Sequence, residues 1–155
     1  NGEFTVNISL LEDNVPVLGV VFAPAIGVVY SAGTGLGSWK QSGDAAPSRL
    51  LGPSRPGPEG AVVVESRSHP SPELEAFLLT IRVARRVQAG SSLKFGVVAE
   101  GAAHLYPRFG PTHDWDVAAG DCVWRNAILE GQRPSSLTYN SPSLKNAGFV
   151  IGVAP

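Results

Sequence analysis

Ala61-Val62-Val63-Val64-Glu65-Ser66-Arg67-Ser68-His69-Pro70-Ser71-Pro72-Glu73 is the stretch whose reading decides the fold. Residues 61 to 65 are a short β-branched apolar run of the kind a buried strand shows. Ser71-Pro72-Glu73 then reads as a helix start, with proline at the first helical position and an acid in the first turn. Leu74, Phe77, Leu78 and Ile81 fall on one face of that helix. Outward from here the alternation continues. Arg86 to Ala89 reads as a strand, Ser91 to Glu100 as a helix and Ala103 to Phe109 as a strand. Asp116 to Glu130 reads as a helix and Phe149 to Val153 as a last strand. Strand and helix in alternation imply helices layered on a mixed sheet, an α/β (α+β layered) class.

The other direction reads differently. Phe4 to Leu11 alternates like a strand, Glu12-Asp13-Asn14 supplies a turn, and Val15 to Ala23 is a second strand, which makes a hairpin. A turn at Pro24 to Gly27 leads to Val28-Val29-Tyr30-Ser31-Ala32, and Ser38-Trp39-Lys40 pairs again after Gly33, Gly35 and Gly37. Residues 1–41 are therefore expected as an antiparallel meander, the end of an N-terminal sheet domain. Residues 42–60, rich in Gly, Pro, Ser and Ala, are expected as a linker without a packed element, and 61–155 as a C-terminal α/β domain. The opening at Asn1 without a methionine, and the bare outer strand edge that it would leave, suggest upstream strands.

Composition excludes several classes of function. The chain has 155 residues, 43% hydrophobic and 16% charged, enough for a substantial core. Twelve Lys and Arg stand against 13 Asp and Glu, so no global field draws the chain to a nucleic-acid polymer or an anionic membrane, and an anion site must be built locally. The apolar run 15–25 is too short, and too broken by Pro16, Gly19 and Pro24, for a transmembrane segment. A single cysteine, Cys122, precludes an internal disulfide and suits a reducing cytoplasm.

Four places could carry chemistry. Gly90-Ser91-Ser92-Leu93-Lys94 joins a strand to a helix, where Ser91 is either a plain N-cap or part of an anion site that Lys94 completes with a charge. Arg108, stiffened by Pro107 and Pro111, either binds phosphate through its fork of donors or packs on Tyr106. Asp114 and Asp116 stand just before a helix. Asp116 is either an N-cap or a ligand to a hard cation, and two acids are too few for magnesium, which takes about six oxygens. His69 lies between a strand and a helix, at the edge where α/β sheets hold ligands, and is otherwise an exposed loop histidine. His104 and Cys122 read as packing or surface residues.

Seven runs together resemble the inositol monophosphatase superfamily and, within it, the 3'(2'),5'-bisphosphate nucleotidase branch of the CysQ type. They are residues 1–8, Leu18 to Pro24, Ser66-Arg67-Ser68-His69, Gly90 to Phe95, Ala99-Glu100-Gly101, Leu105 to Thr112, and Trp115-Asp116-Val117-Ala118-Ala119-Gly120. The last marks the whole superfamily; the Ser-Arg-Ser-His, Ser-Ser-Leu-Lys-Phe and Leu-Tyr-Pro-Arg-Phe-Gly-Pro runs mark the branch. The resemblance implies the C-terminal part of that fold. Asp116 would be a Mg2+ ligand that also faces the substrate, Ser91, Lys94 and Arg108 would hold the non-scissile phosphate and ribose, and His69 would face the adenine. It implies removal of one phosphate from adenosine 3',5'-bisphosphate by metal-activated water, giving AMP, as in nucleotide recycling in sulfur assimilation. The expected setting is the cytoplasm, with peripheral attachment at the inner membrane as a variant. The family's upstream Glu and Asp-Pro-x-Asp-Gly-Thr motif are not in this chain, so the missing N-terminal half is an implied partner and the chain alone is expected to be inactive. The run 129–134 is shorter than in relatives. An inositol monophosphatase-like enzyme and a non-catalytic nucleotide- or anion-binding module are the alternatives.

Overall fold

The computed structural model describes residues 2–67 and 71–155. β1 (Val6–Glu12) and β2 (Val15–Ala23) form a hairpin whose two connecting residues, Asp13 and Asn14, both have positive φ, 49° and 63°. That is the turn whose twist matches two antiparallel strands. One turn of 3-10 helix, Pro24–Ile26, leads into β3 (Val28–Gly33), and β4 (Gly37–Ser42) pairs back on it. The expected meander is thus present, with one addition. β5 (Ser48–Leu50) lies inside the segment expected to carry no packed element, pairs antiparallel with β4 and buries Leu50. Local composition there favours a loop; the open edge of β4 offers backbone partners that a reading of composition cannot see.

The second sheet runs β11-β8-β6-β7. β6 (Ala61–Ser66) leads through α1 (Pro72–Leu78) to β7 (Val83–Ala89), which pairs parallel to one side of β6. The Ser71 hydroxyl caps α1 by accepting from the Leu74 N–H at 3.2 Å. α1 ends before Ile81, which still packs into the cluster of Leu74, Leu78, Ala61, Val63 and Leu105. α2 (Leu93–Ala99) then leads to β8 (Leu105–Arg108), parallel to β6 on its other side. β11 (Phe149–Gly152) closes that edge antiparallel. A two-residue ladder of β9 (Thr112–His113) and β10 (Lys145–Asn146), not expected from sequence, holds the tail beside the last helix, α3 (Asp114–Arg125). No helix among the described residues is long and apolar enough to cross a membrane.

α3 lies between the layers, against β1, β2 and β3 on one side and α2 on the other. Gly19 makes the first contact possible, because a Cβ there would sit 2.7 Å from the Ala119 carbonyl oxygen and the Cys122 Cβ. Glu100, at the end of α2, accepts a hydrogen bond from Tyr30 at 3.2 Å and pairs with Lys40, both on the first sheet. One apolar cluster therefore runs from Val21 and Tyr30 through Phe95, Val117 and Trp124 to Phe149 and Ile151, across the segment 42–60.

Candidate functional site: a cationic cavity at the carboxyl ends of parallel strands

Helix α1, which links β6 to β7, packs on one face of the sheet, and α2, which links β7 to β8, packs on the other. Between β6 and β8 the strand order therefore reverses, and the crevice outside the carboxyl ends of such strands is where open α/β sheets hold ligands. A cavity of about 350 Å³ lies there, lined by Ser66 at the end of β6, Ser91 and Ser92 after β7, and Arg108 at the end of β8. Lys94 and Phe95 of α2, Tyr106, Pro111, Thr112, Asp116 and Val117 complete its wall.

Lys94 is 4% exposed, so it is not the solvated side chain that sequence allowed. Its Nζ donates to the carbonyls of Ala89 at 3.2 Å and Ser91 at 2.5 Å, and stands 5.3 Å above the Tyr106 ring. Burial, and then the positive charge of Arg108, bring its pKa down to about 8, against the opposing pull of Glu3. The Arg108 Nε is buried and finds no acceptor among the described residues. Two close cations, one with an unused donor, make the cavity a receptor for an anion with several oxygens.

Ser91 is not the N-cap of α2. Ser92 holds that position, and Ser91 precedes it in the left-handed region with φ 49°. Helix α3 begins at Asp114, with His113 as its N-cap, so Asp116 is not an N-cap either but the third helical residue. Its Oδ2 accepts from the His113 N–H at 3.0 Å, the return half of a capping box, and its side chain stays 53% exposed. Asp114, the other acid of the run, is buried and turned away. It accepts from the Asn140 N–H at 2.8 Å and the Asn146 Nδ2 at 2.7 Å. His69 lies outside the described residues.

The structure thus brings Ser91, Lys94, Arg108 and Asp116 to one cavity and adds Ser66, Ser92 and Thr112. Position at a strand end could have flagged Ser66; nothing local distinguishes Thr112. His104 is structural, its Nδ1 accepting from the Val62 N–H at 2.9 Å. Among the described residues no group of three or more His, Cys, Asp or Glu could hold a metal ion. Asp116 alone supplies one carboxylate where magnesium usually needs one or two together with substrate phosphate and several waters, so these residues do not by themselves make a magnesium site.

A switch-point cavity with two close cations and one exposed aspartate on a layered α/β frame suits an anion with several oxygens. Residues 1–127 match the model of the inositol monophosphatase family, and the chain belongs to that family. It is 48% identical over 156 residues to the 3'(2'),5'-bisphosphate nucleotidase CysQ of Escherichia coli (strain K12), covering 99% of this chain and 61% of the relative. The crystal structure of CysQ from Bacteroides thetaiotaomicron superposes with TM-score 0.81 at 35% identity, over 99% of this chain and 64% of that one. Mycobacterium tuberculosis SuhB gives 0.75 at 25%, over 99% and 60%. The chain spans about three fifths of the length of the curated relatives it matches most fully.

Proposed function

We propose that this chain is the substrate-holding part of a magnesium-dependent 3'(2'),5'-bisphosphate nucleotidase acting in the cytoplasm on adenosine 3',5'-bisphosphate. The observation that carries this reading is the buried Lys94 and the unpaired Arg108 Nε in one cavity that Asp116 also lines. In this reading the cations would hold the phosphate that is retained, Ser91 and Ser66 would face the ribose, and Asp116 would contribute one carboxylate toward the metal. By the resemblance alone, His69 is assigned to the base. The names of the similar proteins support the nucleotide as substrate. When bound, the metal would supply a polarised phosphoryl group and an activated water.

Calorimetric titration of the 155-residue chain tests this. Adenosine 3',5'-bisphosphate should bind more tightly than inositol monophosphate, and the chain alone should release no phosphate with magnesium. Preference for the inositol ester would assign the cavity to an inositol phosphatase. The lone carboxylate at the cavity favours one second reading, an anion-binding module without hydrolysis. Phosphate release by the chain would exclude that module reading and the assignment of the remaining ligands to another segment.

A further inference from the structure

The segment entering β1 alternates. Phe4, Val6 and Ile8 are exposed, whereas Glu3, Thr5 and Asn7 point the other way and are half-buried. Each of the latter three bonds one of three consecutive residues in the loop after β7. The Glu3 Oε2 accepts from the Gly90 N–H at 2.8 Å, the Thr5 and Ser91 hydroxyls share a hydrogen bond of 2.6 Å, and the Asn7 Nδ2 donates to the Ser92 Oγ at 2.9 Å. Alternate residues on the strand can meet adjacent residues of the loop because the rungs end on different atoms, the backbone N–H of Gly90 and the side-chain hydroxyls of Ser91 and Ser92.

Two of the three rungs end on residues that line the cavity, Ser91 and Ser92. Ser91 turns its carbonyl to the Lys94 Nζ from a left-handed backbone, and its hydroxyl is the one that Thr5 bonds. The Ser92 hydroxyl, which accepts from Asn7, donates in turn to the Asp116 carbonyl oxygen at 2.8 Å and so ties the loop to α3. Glu3 also pairs through Oε1 with Arg67, 2.9 Å away at the exit of β6, so it joins the loops that follow β6 and β7. Ser9, the next residue on the same face, bonds the Leu18 carbonyl within its own hairpin, so the ladder ends at Asn7.

We propose that Glu3, Thr5 and Asn7 are positioning residues for anion binding, acting on the ligand only through the loop 90–92, with Thr5 setting the place of the Lys94 ammonium and Asn7 that of Asp116. This rests on the reading of the cavity as a phosphate site. The test is calorimetric titration of the 155-residue chain with inorganic phosphate and, separately, with adenosine 3',5'-bisphosphate. Thr5→Val should weaken phosphate by about tenfold, the order of one well-aligned hydrogen bond, while Thr5→Ser restores it and Ser9→Ala changes nothing. In a Lys94→Gln background Thr5→Val should have no further effect, a non-additivity that a general loss of stability would not produce. Equal affinity of Thr5→Val and the parent chain, or full additivity with Lys94→Gln, overturns the proposal. A parent chain that binds phosphate but does not favour the nucleotide overturns the nucleotidase reading and leaves this one standing; one that binds no phosphate overturns both.

Discussion

The four-stranded sheet is covered on both faces, by α1 against Ala61, Val63 and Leu105 and by α2 against Val64, Tyr106 and Ile151. The five-stranded sheet is covered on one. Val6, Ile8 and Leu10 of β1 stand opposite Phe22, Val20 and Leu18 of β2, and all six are exposed, Ile8 by 65%. The side of β1 that packs toward α3 and the cavity loop carries Asn7 and Ser9 instead. Apolar alternation therefore defines β1 as a strand without identifying the face that this chain buries, because the inward face carries Asn7 bonded to the cavity loop, Ser9 bonded within the hairpin and only Leu11 against the core. A contiguous apolar face of this kind has the composition of a surface that other protein covers.

That contrast can be broken most sharply by cutting into each face. Phe95→Ala, under the covered sheet, should cost about 3–5 kcal/mol in urea denaturation, whereas Ile8→Ser should stay within about 0.5 kcal/mol. Comparable losses would mean that the open face is covered in solution. Gly19→Ala tests the covered side of the first sheet. Its new methyl has no room above Ala119 and Cys122, and about 1–3 kcal/mol should be lost.

A smaller effect separates the site from the scaffold. Lys94 is a buried cation, so Lys94→Met should weaken phosphate by about tenfold or more while leaving the melting temperature level or higher. The pH dependence has a definite sign. Below about pH 8 both folded and unfolded chains carry the Lys94 proton; above it the folded chain sheds the proton first, so this residue makes stability rise with pH until the unfolded lysine also titrates. Phosphate affinity should fall over the same rise, and both trends should be absent in Lys94→Met. The smallest effect is expected at Trp115, which is 60% exposed and stacks on His113 with ring centroids 4.4 Å apart. Trp115→Phe should change stability by less than about 0.5 kcal/mol, read by the same denaturation.

The order of strands and helices was legible because each covered element carries its own period, as Leu74 and Leu78 do on α1 and Val63 and Val64 do on β6. Site residues at strand ends, Arg108 and the Ser91–Lys94 run, were legible too, since the carboxyl ends of an alternating pattern are a place to look. What was not legible depended on partners distant in the chain. Ser48–Leu50 became a strand only because β4 lay beside it. Ser91 reads as a cap until its left-handed backbone and its bond to Thr5 are seen. Lys94 reads as solvated until its neighbours Leu93 and Phe95 are seen to take it into the core, a hint that was present in their apolar character. Asp114 and Asp116 look alike in sequence; helix phase turns one toward Asn140 and Asn146 and the other toward the cavity.

Cys122, the chain's single cysteine, lies fully buried beneath Gly19, and burial pushes its thiol up to about 12. A thiol in that state is inert to alkylating or disulfide reagents until the first sheet lifts from α3. Its labelling rate therefore serves as an internal clock for that opening event. Anything that braces the sheet against the helix slows the clock, so the rate compares variants of that packing without a dye or a tag.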